Sequence, residues 1–506
     1  MKKMLGRFIV WHRLLALPSC LFFGIWFLSG VVMMYARMPE LTETGRLDRL
    51  PKLDLSTATS FPSKLSTSVQ AERITVGMLN GRPVYRILPS TGRWFSVYAD
   101  DGSSVGTLDA NAAIQSAAEF SGKPVGALSF AERIADVDQW TVYPASRVFL
   151  PFQIVNGNDP QHTKYYVSAA TGAVYLTTTL RGRFLAWCGA IPHWWYITAL
   201  RSNNSLWHWV LIVASGWGVL MCIFGIAAGI MRYSPSKRYR FPGPRYSSVP
   251  HVGMKRWHYI LGYGFGFITF TWILSGLFSM NPGSWSPGPD ASRAEIHSFA
   301  GAPLSLSAFT TTPKKAWSQL RQCLPLKEME LIMFNGEPYY IGRESVSNVR
   351  LLPAGIDASS CLSEMPLNQL VVASGRVGAH APPVSPILSI DLLHTYDSYY
   401  YDRKFQKPLP VVRVRLSDTK GTWLYINPKT ALIQARYTER SRWERWLYNG
   451  LHSLDFPFLI YRRPLWDFVV ILLSIGGFTL SITGVVLTVR YFQKSFKRRR
   501  QTLRRA

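Results

Sequence analysis

Acidic side chains are scarce in this chain. Its 506 residues hold 29 Asp and Glu against 56 Lys and Arg, a formal net charge of +27. That excess would fit a nucleic-acid partner if the cations shared one folded face, but they are gathered in blocks beside apolar runs. The stretch from Arg232 to Arg256 has seven Lys/Arg and no acid, and Arg490 to Ala506 has eight and no acid. Lys2, Lys3, Arg7 and Arg13 stand at the start. This is the positive-inside pattern of a membrane protein, and no nucleic-acid partner is expected. Cysteine is sparse too, five in all, which excludes a disulfide-built scaffold. Cys20 and Cys222 lie within apolar runs and Cys188 borders one. Only Cys323 and Cys361 fall in a polar region, where a disulfide between them and two free thiols are equally open. No Cys-x-x-Cys-His is present, which excludes covalent c-type haem attachment. The P-loop, the dinucleotide fingerprint after a strand and His-Glu-x-x-His are also missing, which disfavours a resident nucleotide or flavin and a zinc peptidase.

What is abundant is aromatic: 18 Trp, 24 Tyr and 27 Phe, within a chain that is 48% hydrophobic. Mean hydropathy is nevertheless close to zero, which calls for a few bilayer spans joined to large polar regions. Four runs are long and apolar enough, at 8–35, 206–231, 257–280 and 466–490. The first begins like a secretory signal, and Leu17-Pro18-Ser19-Cys20 resembles a lipoprotein cleavage box. The run then continues for another dozen residues, so it is expected to stay as an uncleaved span. By the charge rule both termini, the loop 232–256 and the tail 491–506 are cytoplasmic. The polar regions 36–182 and 281–441 are then outside, each followed by an amphipathic interfacial helix and connection at 183–205 and 442–465. Strand signals at Arg82–Leu88, Trp94–Tyr98 and Tyr165–Tyr175, with a helix over Asn111–Phe120, make these regions α+β.

The chain is written twice. Trp11-His12, Trp26, Leu28-Ser29-Gly30 and Met34 recur as Trp257-His258, Trp272, Leu274-Ser275-Gly276 and Met280, at a constant offset of 246. Asn80-Gly81-x-Pro83-x-Tyr85 recurs as Asn335-Gly336-x-Pro338-x-Tyr340. Lys164–Val210 maps onto Trp423–Val469 at an offset of 259. That second register pairs Arg181 with Arg440, Arg183 with Arg442, Trp187 with Trp446, His193 with His452 and Trp207 with Trp466.

Four of the ten histidines thus occupy duplicated positions. His12 and His258 fall at the cytoplasmic edge, and His193 and His452 near the outer edge. Ionisable groups at membrane depth are costly and are usually paired or functional. Neutral imidazoles on facing helices suit the axial positions of haem iron, and small residues such as Gly24, Gly30, Gly264, Gly266 and Gly276 would admit the ring. The simplest arrangement places one b-type haem between His12 and His258 and a second between His193 and His452. Anchoring to lipid headgroups is the plainer role for histidines at such edges. Arg181, Arg183, Arg440 and Arg442 could pair with haem propionates or snorkel to headgroups. His208 is a secondary ligand candidate, since its repeat partner is Asp467. His162, His251, His297 and His380 are read as loop residues. His394 belongs to a cluster with Tyr396, Asp397 and Tyr399-Tyr400-Tyr401, read first as a packed β-surface.

The Trp-His-Arg entry to the first span, the Trp257-His258-x3-Gly262 entry to the third, and Gly450-Leu451-His452 resemble the PepSY-associated transmembrane family. Tyr165–Tyr175 and Leu424–Ile433 are similar to its PepSY repeat, with Ala431 in place of a glycine and Pro192 before the first copy's histidine. The resemblance implies an integral membrane α-helical protein with four spans, internally duplicated, carrying two α+β PepSY-like periplasmic domains. Some members look like inner-membrane ferric-siderophore reductases with two b-type haems. That implies His12, His258, His193 and His452 as iron ligands and a ferric-siderophore or other ferric chelate as substrate. It also implies an unidentified electron donor and a lipid bilayer as partners, in a bacterial inner membrane. Two other functions stay open: a non-enzymatic protein that binds or restrains a periplasmic protease, and a transporter of iron chelate or haem.

Overall fold

The computed structural model describes residues 2–59, 61, 71–90, 92–241, 246–355, 360–377 and 385–503. His380 lies outside them, as do parts of the basic loop (242–245) and the tail (504–506). The chain folds as two units. One comprises Met1–Met38, Phe184–Ser286 and Trp443–Ala506, and the other Pro39–Arg183 and Pro287–Arg442.

The first unit is helical. Its long helices are α1 (Lys2–Met33), α2 (Asn204–Arg232), α3 (Met254–Ser279) and α4 (Leu465–Leu503). Three helices are long and apolar enough to cross a membrane, over Asn204–Arg232, Met254–Ser279 and Leu465–Lys494. The fourth candidate, α1, is bent by 59° between Lys3–Ala16 and Pro18–Met33, and it counts as a span if its two arms are taken together. Pro18 lacks the N–H that would continue the helical ladder, which accounts for a bend there. The core between the helices is aromatic, built on Phe23, Phe27, Trp272 and Trp466 with Leu15, Met221 and Ile273. Asp467, a rare acid on α4, is satisfied by the Tyr35 hydroxyl at 2.9 Å and by Arg463.

The expected interfacial helix at 183–205 is not continuous. It forms as Leu180–Cys188, Ala190–Trp194 and Thr198–Arg201. The breaks have local causes. Gly189 has a non-helical backbone, a Cβ there would lie 2.9 Å from Val32 Cγ1, and Trp195 turns into the left-handed region at φ 53°. The second copy differs: it runs from Glu439 to Ser453 without a break, through a π-helical turn at Arg445–Gly450, and is interrupted only at Leu454, which turns left-handed at φ 51° before the short helix Pro457–Ile460.

In chain order the strands are β1 (Ala71–Leu79), β2 (Arg82–Pro89), β3 (Phe95–Tyr98), β4 (Ser129–Ile134), β5 (Phe152–Asn156), β6 (Lys164–Ser168) and β7 (Val174–Thr178). The two-residue hairpin β8 (Tyr239–Arg240) and β9 (Tyr246–Ser247) sits in the basic loop. Then come β10 (Glu328–Phe334), β11 (Glu337–Arg343), β12 (Val349–Pro353), β13 (Ile387–Leu393), β14 (Val411–Leu416), β15 (Trp423–Asn427) and β16 (Leu432–Tyr437). Both copies in the second unit run strand–strand–strand–helix–four strands. Asn80-Gly81 and Asn335-Gly336 close the same hairpin in each, all four with positive φ as a tight two-residue turn requires. Helix Ala110–Ser121 covers the β4–β7 sheet through Ala113 and Ala117, and helix Leu367–Val377 covers the β13–β16 sheet through Leu370 and Ala373.

The regions expected as domains at 36–182 and 281–441 share one sheet in this structure. β1 pairs antiparallel with β10, Thr75 opposite Glu330, so that six strands run continuously in the order β12-β11-β10-β1-β2-β3. Two edges that would otherwise be unpaired cover each other, and one compact unit results. Cys323 and Cys361 are disulfide-bonded in this unit.

The junction is charged and buried. Glu328 accepts both Arg46 donors at 2.7 and 2.8 Å, and Glu330 lies between Arg73 at 2.8 Å and Arg343 at 2.5 Å. Burial pushes the Glu328 carboxyl up, but the charge and hydrogen bonds of Arg46, helped by Arg343 and Arg73, outweigh it and hold the group at about 2. A depressed folded value means that stability is present above the ordinary glutamate range and is lost as pH falls from about 4.5 towards 2. Removing one partner of a buried pair costs about 3–5 kcal/mol. Glu328→Gln is expected to lower the stability of the β-rich unit by about 3 kcal/mol at neutral pH. It should also flatten the acid limb of its denaturant midpoint, followed by circular dichroism of the full chain. An unchanged midpoint at pH 7 would show the carboxylate to be idle.

Candidate functional site

Each duplicated histidine is held by a helix other than its own. His12 lies on α1, and its Nδ1 is 3.0 Å from the Met221 carbonyl on α2. His258 lies on α3, with Nδ1 2.8 Å from Thr483 Oγ1 on α4. His193, on the short helix Ala190–Trp194, has Nδ1 3.1 Å from Ser29 Oγ and 3.2 Å from the Trp26 carbonyl, both on α1. His452, on Leu451–Ser453, has Nδ1 3.1 Å from Ser275 Oγ and 3.1 Å from the Trp272 carbonyl on α3.

These partners fix the tautomer. A carbonyl only accepts, so Nδ1 of His12, His193 and His452 carries the proton and donates it. Thr483 spends its own proton on the Leu480 carbonyl at 2.7 Å and can only accept from His258. In a neutral imidazole so arranged, Nε2 carries the lone pair that a metal would take.

Four glycines seat the four rings. A Cβ at Gly225 would stand 2.6 Å from His12 Cε1, whereas one at Gly484 would meet Cys20 Sγ first, at 2.6 Å, with His258 Cε1 in ordinary contact at 3.7 Å. A Cβ at Gly30 would be 3.4 Å from His193 Cε1, and one at Gly276 3.5 Å from His452 Cε1. The seats are themselves repeat mates, Gly225 with Gly484 at the 259 offset and Gly30 with Gly276 at 246. The repeated Leu-Ser-Gly motif thus has a physical role. Its serine accepts from His193 in one copy and His452 in the other, and its glycine lets that ring lie against the helix.

The rings come together in the expected pairs. His12 and His258 have ring centres 6.2 Å apart with planes at 43°, and His193 and His452 have centres 6.1 Å apart at 69°. His258 and Ser275 are 17 residues apart on α3, which puts the two pairs about 25 Å apart along the helix axis. Phe23, Phe27 and Trp272 fill the interior of the unit, with Phe27 5.7 Å from Trp272.

Other candidates fall elsewhere. His208 on α2 has its ring 5.9 Å from Trp209 and joins neither histidine pair. His251 takes a hydrogen bond from Arg232 at 3.1 Å, while His297 lies in helix Arg293–Ala300 and not in a loop, because Ser292 and Glu295 form a capping box there. His394 follows β13 beside a packed surface, in which fully buried Tyr400 stacks on Tyr425 at 5.3 Å. Arg183 donates to Thr178 Oγ1 at 2.8 Å and to the His162 carbonyl at 3.0 Å. Arg442 donates to the Gly421 carbonyl at 2.6 Å and lies over the Trp423 ring. Both guanidinium groups are thus anchored to their own sheets, away from the histidine pairs. Arg181 and Arg440 are exposed. Of the glycines expected to admit a ring, Gly24 faces Phe478, Gly266 faces Ile226 and Gly264 faces open space.

Sequence reading missed Met221, Thr483, Gly225 and Gly484, whose only signal was the repeat register of the two glycines. It also missed Arg201, a buried cation stacked 4.4 Å over Trp207 and bonded to Asn204 at 2.7 Å. Among the described residues no three His, Cys, Asp or Glu side chains gather to enclose a metal ion by themselves. The site is therefore a pair of two-histidine clamps. No protein-family model matches the chain, and no characterised protein matches its sequence.

Proposed function

We propose that the chain is a four-span membrane protein of the bacterial inner membrane that holds two b-type haems and passes electrons outward to a ferric chelate. The observation that carries this reading is the spacing within the two histidine pairs. A ring centre lies roughly 1.1 Å behind its nitrogen and a metal–nitrogen bond is about 2.0 Å, so two imidazoles that would hold one metal between facing nitrogens need centres about 6.2 Å apart. The observed 6.2 and 6.1 Å fit that requirement.

The residues fit the group in their chemistry as well. His12, His258, His193 and His452 would be its ligands. Each has its Nδ1 braced by a carbonyl or hydroxyl on a neighbouring helix, which leaves Nε2 free to bind, the usual support of a metal-binding imidazole. Haem bound there supplies a one-electron couple tuned by its axial ligands and its burial. The chain's own share is to orient the imidazoles, to keep Nδ1 protonated, and to surround the pairs with aromatic side chains that exclude water. On the outer side a ferric ion in a hard-oxygen chelate gains one electron, and the Fe²⁺ formed is bound weakly and released for uptake. The donor on the inner side is a separate reductant.

The absorption spectrum of detergent-purified protein, oxidised and dithionite-reduced, tests this directly. The expected result is a low-spin b-type spectrum with about two haems per chain, followed by ferric-chelate-dependent reoxidation. A colourless protein from haem-replete cells would sink the reading and leave a partner-binding membrane protein in its place.

A further inference from the structure

The two copies of the β-rich unit differ at one corresponding place. In the second copy Trp423 stands in β15, opposite Arg415 on β14 and Tyr437 on β16. Its ring is covered by the Arg415 and Arg442 guanidinium groups, each 4.5 Å from the centroid, and by Tyr399 at 5.3 Å. That place is filled. In the first copy the same register puts Lys164 in β6, opposite Asn156 on β5 and Thr178 on β7. A lysine has no ring to fill the space, and a cavity of about 370 Å³ opens there. It is lined by Asn156, Asn158, His162, Lys164 and Arg183, with Leu180 contributing an apolar wall.

The lining favours anions. Lys164 and Arg183 are cationic, and no acid lines the cavity. Among the described residues neither has a carboxylate within ion-pair distance, while nearby Asp159 is already paired with Lys123 at 2.6 Å. Arg183 is held in place by Thr178 and by the His162 carbonyl, so its guanidinium is positioned before any ligand arrives. Leu180 and Arg183 belong to the first turn of the helix Leu180–Cys188, whose positive dipole end adds to the field. The Asn156 and Asn158 amides can donate without adding charge.

We propose that this cavity binds a small polycarboxylate of about citrate's size, its carboxylates on Lys164 and Arg183 and its remaining oxygens on the asparagine amides. Size decides between acids. A single phosphate would fill only a small part of the space, whereas ligand pockets of roughly 300 Å³ upwards hold molecules of ten or more heavy atoms. The site is independent of the histidine pairs and stands or falls without them.

Calorimetric titration of citrate into the full-length detergent-purified chain at low ionic strength is the test, with inorganic phosphate as the comparison. Lys164→Gln removes the charge alone, and it should weaken citrate binding about tenfold with the unfolding temperature unchanged. Lys164→Trp imports the residue that closes the second copy and should abolish binding, because Arg183 is placed to stack on the new ring as Arg442 does on Trp423. Phosphate should bind the unmodified chain far more weakly than citrate. No citrate heat in the unmodified chain, equal affinity for phosphate, or undiminished binding in Lys164→Trp would each overturn the proposal.

Discussion

Alanine at His258 is expected to cut the haem content from about two per chain to about one, and alanine at His12 to do the same. The ring centres are 6.2 Å apart, so under the proposed function either substitution would leave one imidazole where two would hold the group. Loss of one of the two imidazoles that would hold the group removes half of the protein's hold on it. The outer pair is built from other residues, His193 and His452 braced on Ser29 and Ser275, and should keep its haem in the low-spin state. The double variant His12→Ala/His258→Ala should look like either single one, since both remove the same site and their effects do not add. His12→Ala/His193→Ala should retain none. Pyridine haemochrome assay per chain, with the thermal unfolding of each variant as a check on folding, gives the answer. A stably folded single variant that loses both haems, or keeps both, would refute the inner–outer division.

Much of this site was legible because the chain is duplicated. A lone histidine at the end of an apolar run carries little information, but His12 and His258 share one register, and His193 and His452 another. The pairing followed from symmetry, and the ring distances agree with it. What holds the rings was far less legible. Gly225 serves His12 from 213 positions away in the chain and Thr483 serves His258 from 225, so neither contact leaves a local pattern. The continuous interfacial helix failed for a similar reason. Periodicity over 183–205 is helical, but the backbone leaves the helix at Gly189, which lies so close to Val32 of α1 that no side chain would fit there. Separate outer domains were the natural expectation from two repeats. The pairing of β1 with β10, with Glu328 and Glu330 neutralised by Arg46, Arg73 and Arg343, joins them over a shared core that includes Ile74, Val76, Trp317 and Leu331, and an edge-to-edge contact between copies has no sequence signature of its own. Within the β-rich unit the duplication informs by its failure. Lys164 opposite Trp423 is invisible as a motif, and it gains meaning only when one copy is filled and the other open.

The strongest test of the seating argument uses a substitution that ought to stabilise a helix. Alanine is favoured over glycine in a helix interior by about 1 kcal/mol, so Gly225→Ala on α2 should by propensity alone be neutral or beneficial. Its Cβ, however, would stand 2.6 Å from His12 Cε1 and 2.8 Å from Nδ1, closer than carbon contacts allow. The ring must move, and moving it breaks the Nδ1 bond to the Met221 carbonyl one turn away on the same helix. Loss of such a supporting bond typically costs about 10–100-fold in metal-site affinity. Gly225→Ala is therefore expected to copy the haem loss of His12→Ala while leaving the fold intact. Gly229→Ala is the matched control. It lies one turn further along α2, gains the same propensity and has nothing within 4 Å of its Cβ. Gly30→Ala and Gly276→Ala, where the added carbon would meet its histidine at 3.4 and 3.5 Å, should shift the outer spectrum only slightly. A graded series, severe at Gly225, mild at Gly30 and Gly276 and silent at Gly229, is what close packing of the imidazoles predicts. Equal effects at Gly225 and Gly229 would mean that α2 responds to the glycine count and not to the histidine seat.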